Sequence, residues 1–212
     1  MGHNIVGKRK SAEENIMLTR KIEKNIRDWI KNDDRALLLY GVRQAGKTYI
    51  IRKCLKDEGC SYVEFNLIKE PEIVTILETS SDIDDLILKL SLYSNEKIIP
   101  GETFLFFDEI QKCPEIVTKI KFLVDEGSFK YVMSGSLLGV ELKGIASAPV
   151  GYLTVLKMYP MDFEEFMMAN NVSVTTLDML NEKFKNASPV DEFVHQKLLS
   201  MFFVYVCLIV FI

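Results

Sequence analysis

Gly41-Val42-Arg43-Gln44-Ala45-Gly46-Lys47-Thr48 decides the reading of this chain. It satisfies G-x-x-x-x-G-K-[ST] at every specified position, and each residue type answers a physical need. Glycine allows a backbone geometry and a close approach that a Cβ would block. Inward-facing amides at the start of a helix make a nest for an anion, and the helix dipole favours negative charge there. Lys47 is placed to reach the β- and γ-phosphates of a nucleotide, and Thr48 to offer its hydroxyl to Mg²⁺. The expected ligands are ATP and Mg²⁺, and the expected contacts are Gly41, Val42, Arg43, Gln44, Ala45, Gly46, Lys47, Thr48 and Tyr49. Arg43 lies in the variable part of the loop, where nucleotide, a neighbouring subunit and solvent are all open to it.

The residues on either side supply the context the motif needs. Ala36-Leu37-Leu38-Leu39-Tyr40 is a continuous apolar run, the pattern of a strand buried on both faces of a parallel sheet. A helix is expected from Lys47 to Asp57. Before the strand, Ile16 to Ile30 reads as an amphipathic helix, with Ile22, Ile26, Trp29 and Ile30 at spacings of three and four. After it, strands are expected at Tyr62–Phe65, Thr103–Phe107, Lys130–Met133 and Tyr152–Leu156. Helices are expected to begin at Pro71, to follow a cap at Asp82, and to run from Pro114 to Glu126. Strands alternating with helices predict an α/β fold: a three-layer P-loop NTPase with a mainly parallel central sheet and helices on both faces.

Thr103-Phe104-Leu105-Phe106-Phe107-Asp108-Glu109 is an apolar strand ending in two carboxylates, the Walker B pattern. Asp108 falls 61 positions after Lys47. Asp108, with Thr48, is expected to hold Mg²⁺, mostly through water, because Mg²⁺ dehydrates reluctantly. Glu109 is expected to polarise the attacking water, provided it lies within hydrogen-bond reach. Alone, Asp-Glu after a strand is a common exit into a polar turn; the loop upstream gives it meaning.

Four motifs now stand in order: the loop at 41–48, Phe-Phe-Asp-Glu-Ile-Gln-Lys-Cys-Pro-Glu at 106–115, Tyr-Val-Met-Ser-Gly-Ser at 131–136, and Tyr-Pro-Met-Asp-Phe-Glu-Glu-Phe at 159–166. Together they resemble a large family of prokaryotic AAA-superfamily ATPases that carry a C-terminal domain of unknown function, over about residues 16 to 200. The resemblance implies an ASCE-type sheet with the Walker B strand beside the P-loop strand. It also implies a sensor hydroxyl, with Ser134 the first choice and Ser136 the second, so that Lys47, Glu109 and Ser134 form the catalytic set. Gln111 and Lys112 follow the family pattern without a physical role that the sequence supplies.

Two departures from that pattern stand out. All six arginines (Arg9, Arg20, Arg27, Arg35, Arg43 and Arg52) lie in the first 52 residues. AAA-type hydrolysis usually draws on a late arginine, worth about 10³–10⁵ in rate. Lys143 or Lys157 matches its charge but not its bidentate geometry. The chain also closes on the apolar run Met201–Ile212, read here as a truncated or frame-shifted ending in place of the family's C-terminal domain. Leu198–Ile212 as a helix would span roughly 22 Å, short of the roughly 30 Å hydrocarbon core, so a membrane anchor is disfavoured. Such a stub is rich in β-formers and uncharged, which predicts self-association that deletion of residues 200–212 should relieve.

The expected organisation is a helical leader (1–34), an ATPase core (35–168), a helical extension or linker (169–198) and the apolar stub (199–212). A net charge of −4 gives no broad nucleic-acid footprint, although Lys8, Arg9 and Lys10 make a short basic run. Four cysteines without a C-x-x-C pair, beside only His3 and His195, form no zinc pattern and fit a reducing cytoplasm. The function expected is an ATPase module driving a conformational change on an unidentified protein or nucleic-acid partner, with homo-oligomers open. The alternatives are a nucleotide-gated interaction module with little hydrolysis and an inactive remnant.

Overall fold

A computed structural model describes residues 19–136 and 151–210. His3, the basic run Lys8–Lys10, the start of the expected leader helix at Ile16, and Lys143 lie outside the described residues.

The run read as a doubly buried strand is one. β1 (Ala36–Gly41) lies within a five-stranded sheet with β2 (Ser61–Asn66), β3 (Thr103–Asp108), β4 (Lys130–Gly135) and β5 (Leu153–Met158). The order is β2-β3-β4-β1-β5, and every pairing is parallel. Successive side chains point to opposite faces, which explains the unbroken leucines. Leu37 and Leu39 face α1 (Ile22–Asn32) and α2 (Lys47–Asp57), where Ile26, Trp29, Ile50 and Leu55 are buried. Leu38 faces α3 (Pro71–Thr79), α4 (Ile83–Ser94) and α5 (Glu115–Glu126), through Ile73, Leu90, Ile116 and Ile120. The sheet is thus the middle of three layers.

Local signals set the helix starts. Pro71 occupies the first turn of α3, and Asp82 caps α4 by accepting the Asp85 amide at 2.9 Å. Three readings differ from the structure. Residues 19–21, expected within the leader helix, are not helical: α1 begins at Ile22, and Glu23 in its first turn accepts the Arg20 amide at 2.8 Å. β3, the strand read as Walker B, is not beside β1: β4 lies between them, so that the strand carrying Ser134 separates the two sequence motifs. The apolar ending, rich in β-formers, is helical as far as Val210.

Three helices follow the sheet: α6 (Phe163–Ala169), α7 (Val174–Lys185) and α8 (Glu192–Val210). α8 runs unbroken through the expected boundary at 198/199. Its polar first turns start the helix, and α6 gives the apolar part a packing surface. Phe163 meets Phe202 edge-on with centroids 5.3 Å apart, and the Tyr205 hydroxyl donates to the Met161 carbonyl at 3.0 Å. Among the described residues no helix is long and apolar enough to cross a membrane.

Candidate nucleotide site

The loop joins the C-terminal end of β1 to α2, and its glycines are required by the packing around it. A Cβ on Gly41 would lie 2.1 Å from the Met158 carbonyl oxygen of β5. Gly46 sits at φ 89°, a left-handed conformation that turns the chain into α2. Gln44 shares that region at φ 61°. The unpaired amides of the first turn of α2 therefore open toward the loop. Lys47 is buried and donates to the carbonyls of Gly41 at 3.0 Å and Val42 at 2.8 Å. Burial pushes its pKa down, while Glu109 and Asp108 oppose that shift. Val42, Arg43 and Gln44 are exposed on the outer rim, as is Tyr49 on the first turn of α2.

β3 and β4 bring the acidic partner to the same place. Asp108 is the last residue of β3 and almost wholly buried. The Thr48 hydroxyl is 3.0 Å from each of its carboxylate oxygens. Ser134, near the end of β4, donates its hydroxyl to Asp108 Oδ1. Asn66, the last residue of β2, donates through Nδ2 to Oδ2 at 3.0 Å. Three elements beside β3 thus send one donor each to a single carboxylate. Asn66 carries no motif in the sequence; it becomes visible once β2 is known to pair with β3 in the register Asn66↔Asp108.

Glu109 adopts φ 62°, ψ 44°, which costs a non-glycine residue about 1–2 kcal/mol. It opens a short 3-10 turn over Ile110–Lys112, anchored by buried Ile110. Gln111 answers the question the sequence left open: its Nε2 donates to Glu109 Oε2, and its Oε1 accepts the Ser136 amide at 3.2 Å. One amide side chain therefore bridges the end of β4 and the candidate base. Ser136 enters through its backbone, whereas the Ser134 side chain meets the carboxylate directly. Lys112 is exposed. Lys157, the described candidate for a late cation, is exposed with its ammonium over the Tyr159 ring at 4.6 Å.

A further contact reaches the loop from outside. Buried Arg20 donates to the Ala45 carbonyl at 3.1 Å and to the Tyr159 carbonyl at 2.8 Å, and pairs with Glu165 of α6 at 3.1 Å. No local signal marks Arg20 for this place, because its partners lie 25, 139 and 145 positions away.

The profile of the family described as "AAA domain" matches residues 33–167. Uncharacterized protein MJ1544 of Methanocaldococcus jannaschii is 29% identical over 161 residues, covering 74% of this chain and 34% of that protein. The chain thus spans about a third of the length of that curated relative. A chain from a structure of two coordinating Pif1 helicases at forked dsDNA aligns over 78% of this chain and 52% of its own length, with 16% identity and a TM-score of 0.40.

Proposed function

The chain belongs to the AAA domain family, and on that premise we propose that it is an ATPase that couples the binding and hydrolysis of Mg-ATP to a conformational change on a macromolecular partner. The observation that carries the proposal is the convergence of Thr48, Asn66 and Ser134 on the Asp108 carboxylate, with Lys47 in the adjoining loop and Glu109 one residue away.

The donor set suits Mg²⁺: a hydroxyl and a carboxylate at 3.0 Å, all hard oxygen, beside an anion nest. Thr48 and Asp108 are the residues to hold it; bound there, it would neutralise charge on the β- and γ-phosphate oxygens. The amides of 44–48 cradle the phosphates. Lys47 exchanges its two loop carbonyls for phosphate oxygens, and desolvation strengthens that pairing. Glu109 accepts the proton of the attacking water, with Gln111 fixing its carboxylate. Ser134 offers a hydroxyl beside Asp108. In this reading the core at 35–168 does the chemistry, the helices beyond it carry the motion, and the chain falls in the AAA subgroup with a C-terminal domain of unknown function. The partner is a protein or nucleic acid, with homo-oligomers open, and the work is done in the cytoplasm.

Phosphate release from Mg-ATP tests this. The wild-type chain should release phosphate above Lys47→Ala, and Glu109→Gln should lose about 10²–10⁴-fold in rate while still binding nucleotide. A wild-type rate equal to Lys47→Ala, from folded protein, sinks the hydrolase.

A second reading has its own support. The sequence has no arginine after Arg52, and Arg20, Arg27, Arg35 and Arg52 are all committed to carboxylates. Among the described residues, Arg43, exposed on the loop, is the arginine left at the site. A chain that binds Mg-ATP without releasing phosphate would be a nucleotide-gated module in place of an ATPase.

A further inference from the structure

Arg20 lies before the span matched by the family profile, which begins at residue 33, yet it touches three segments at once. Its guanidinium spans the Ala45 carbonyl of the loop, the Tyr159 carbonyl after β5 and the Glu165 carboxylate of α6. Its environment is built: Arg20 is 6% and Glu165 4% exposed. Glu165 in turn accepts the Lys21 amide at 2.7 Å and the Asp162 amide at 3.0 Å, the latter closing a capping box at the start of α6. The Lys21 ammonium binds Asp162 and Glu164 at 2.6 Å each.

Peptide geometry gives the Ala45 contact its meaning. A peptide unit is planar and trans, so its carbonyl and the following N–H point in opposite directions. No cis bond occurs among the described residues. Holding the Ala45 oxygen outward therefore turns the Gly46 N–H the other way, into the loop. Gly46 precedes Lys47 and sits in a left-handed conformation that a glycine leaves easily. Without an outside anchor, the glycine side of this peptide offers little resistance to a flip.

Resting on the ATPase reading above, we propose that Arg20 is a positioning residue of the nucleotide site: it sets the Gly46 amide toward the phosphates and, through the same guanidinium, transmits occupancy of the loop to α6 and the helices beyond. A phosphate that draws the Gly46 N–H inward aligns the Ala45 carbonyl with Arg20, and the tightened guanidinium holds Tyr159 and Glu165 in turn. A lysine at 20 keeps the charge but cannot fork to three oxygens. The arrangement supplies a cis link between the site and the helical extension, the place where the chain would deliver motion.

The test uses the full chain, a fluorescent non-hydrolysable ATP analogue with Mg²⁺, and peptide-resolved hydrogen exchange. In the wild type, saturating analogue should slow exchange in the loop and across residues 159–169. Arg20→Lys should weaken binding about tenfold. At saturation it should still protect the loop but lose the added protection at 159–169. A purely structural role would raise exchange there equally with and without nucleotide, leaving the difference intact, and that result overturns the proposal. So does wild-type affinity in Arg20→Lys. Glu165→Gln tests the link from its far end if Arg20→Lys folds poorly: affinity should stay within about twofold while the protection of 159–169 falls, and unchanged protection overturns the link. A wild-type chain that binds the analogue no better than Lys47→Ala overturns the ATPase reading itself, and the two failures are thereby told apart.

Discussion

Asp108 is the residue on which the site closes. Its carboxylate is shared among Thr48, Asn66 and Ser134, so removing one donor leaves it short of a partner without emptying the site. Asn66→Ala should cost about 1 kcal/mol, seen as a few-fold loss in Mg-dependent nucleotide affinity by titration; equal affinity would show the contact to be incidental. Gly41 is constrained for a different reason. The Met158 carbonyl occupies the space a methyl group would need, so Gly41→Ala must push β5 from β1. The expected loss is about 1–3 kcal/mol, read as a lower urea midpoint, and an unchanged midpoint would mean the edge strand yields freely. The thiols divide by burial. Cys54 and Cys113 are buried and pushed up to about 11, whereas Cys207 is exposed. At pH 8, iodoacetamide should alkylate Cys207 and leave Cys54 and Cys113 unmodified by mass spectrometry; fast labelling of either buried thiol would contradict the packing of α2 or of the turn before α5.

At the scale of elements, β1 shows how far a sequence carries. Three consecutive leucines announced a strand buried twice over, and the structure places Leu37 and Leu39 on one face and Leu38 on the other. Leu38→Ala should cost about 2–5 kcal/mol by denaturant unfolding; a loss under 1 kcal/mol would mean that the face bearing α3, α4 and α5 is loose. The cap at Asp82 and the proline of α3 were legible because each acts within the first turn of its own helix. The order of strands was not. Apolar runs say that strands exist, not which lie together, so the insertion of β4 between β1 and β3 was missed. With it went Asn66, whose role exists only through the pairing of β2 with β3. The start of α1 was misplaced because tertiary partners of Arg20 and Lys21 override a helical pattern.

Across the whole molecule, exposed apolar side chains gather on α8. α8 seats Phe202 and Tyr205 against α6, while Leu199, Phe203, Val204 and Leu208 remain exposed, Phe203 at 68%. Contiguous apolar surface of this kind favours association. Since deleting 200–212 would also strip the contacts to Phe163, a cleaner probe is Leu199→Lys with Phe203→Lys. The pair should lower the apparent mass in light scattering with little effect on the melting temperature. Unchanged mass would remove α8 as the cause.

The strand order also sets a timetable. Leu37 pairs with Val132 on one side and Thr154 on the other, so β1 is made early but has no neighbour until most of the chain exists. β2 and β3 can pair first. On a ribosome adding residues at roughly 5–20 per second, that leaves both edges of β1 unpaired for several seconds. Long-range parallel pairing of this kind is intrinsically slow. The strand that anchors the phosphate loop thus waits for partners made much later, and the carboxylate cluster of the nucleotide site cannot close until β4 has been synthesised.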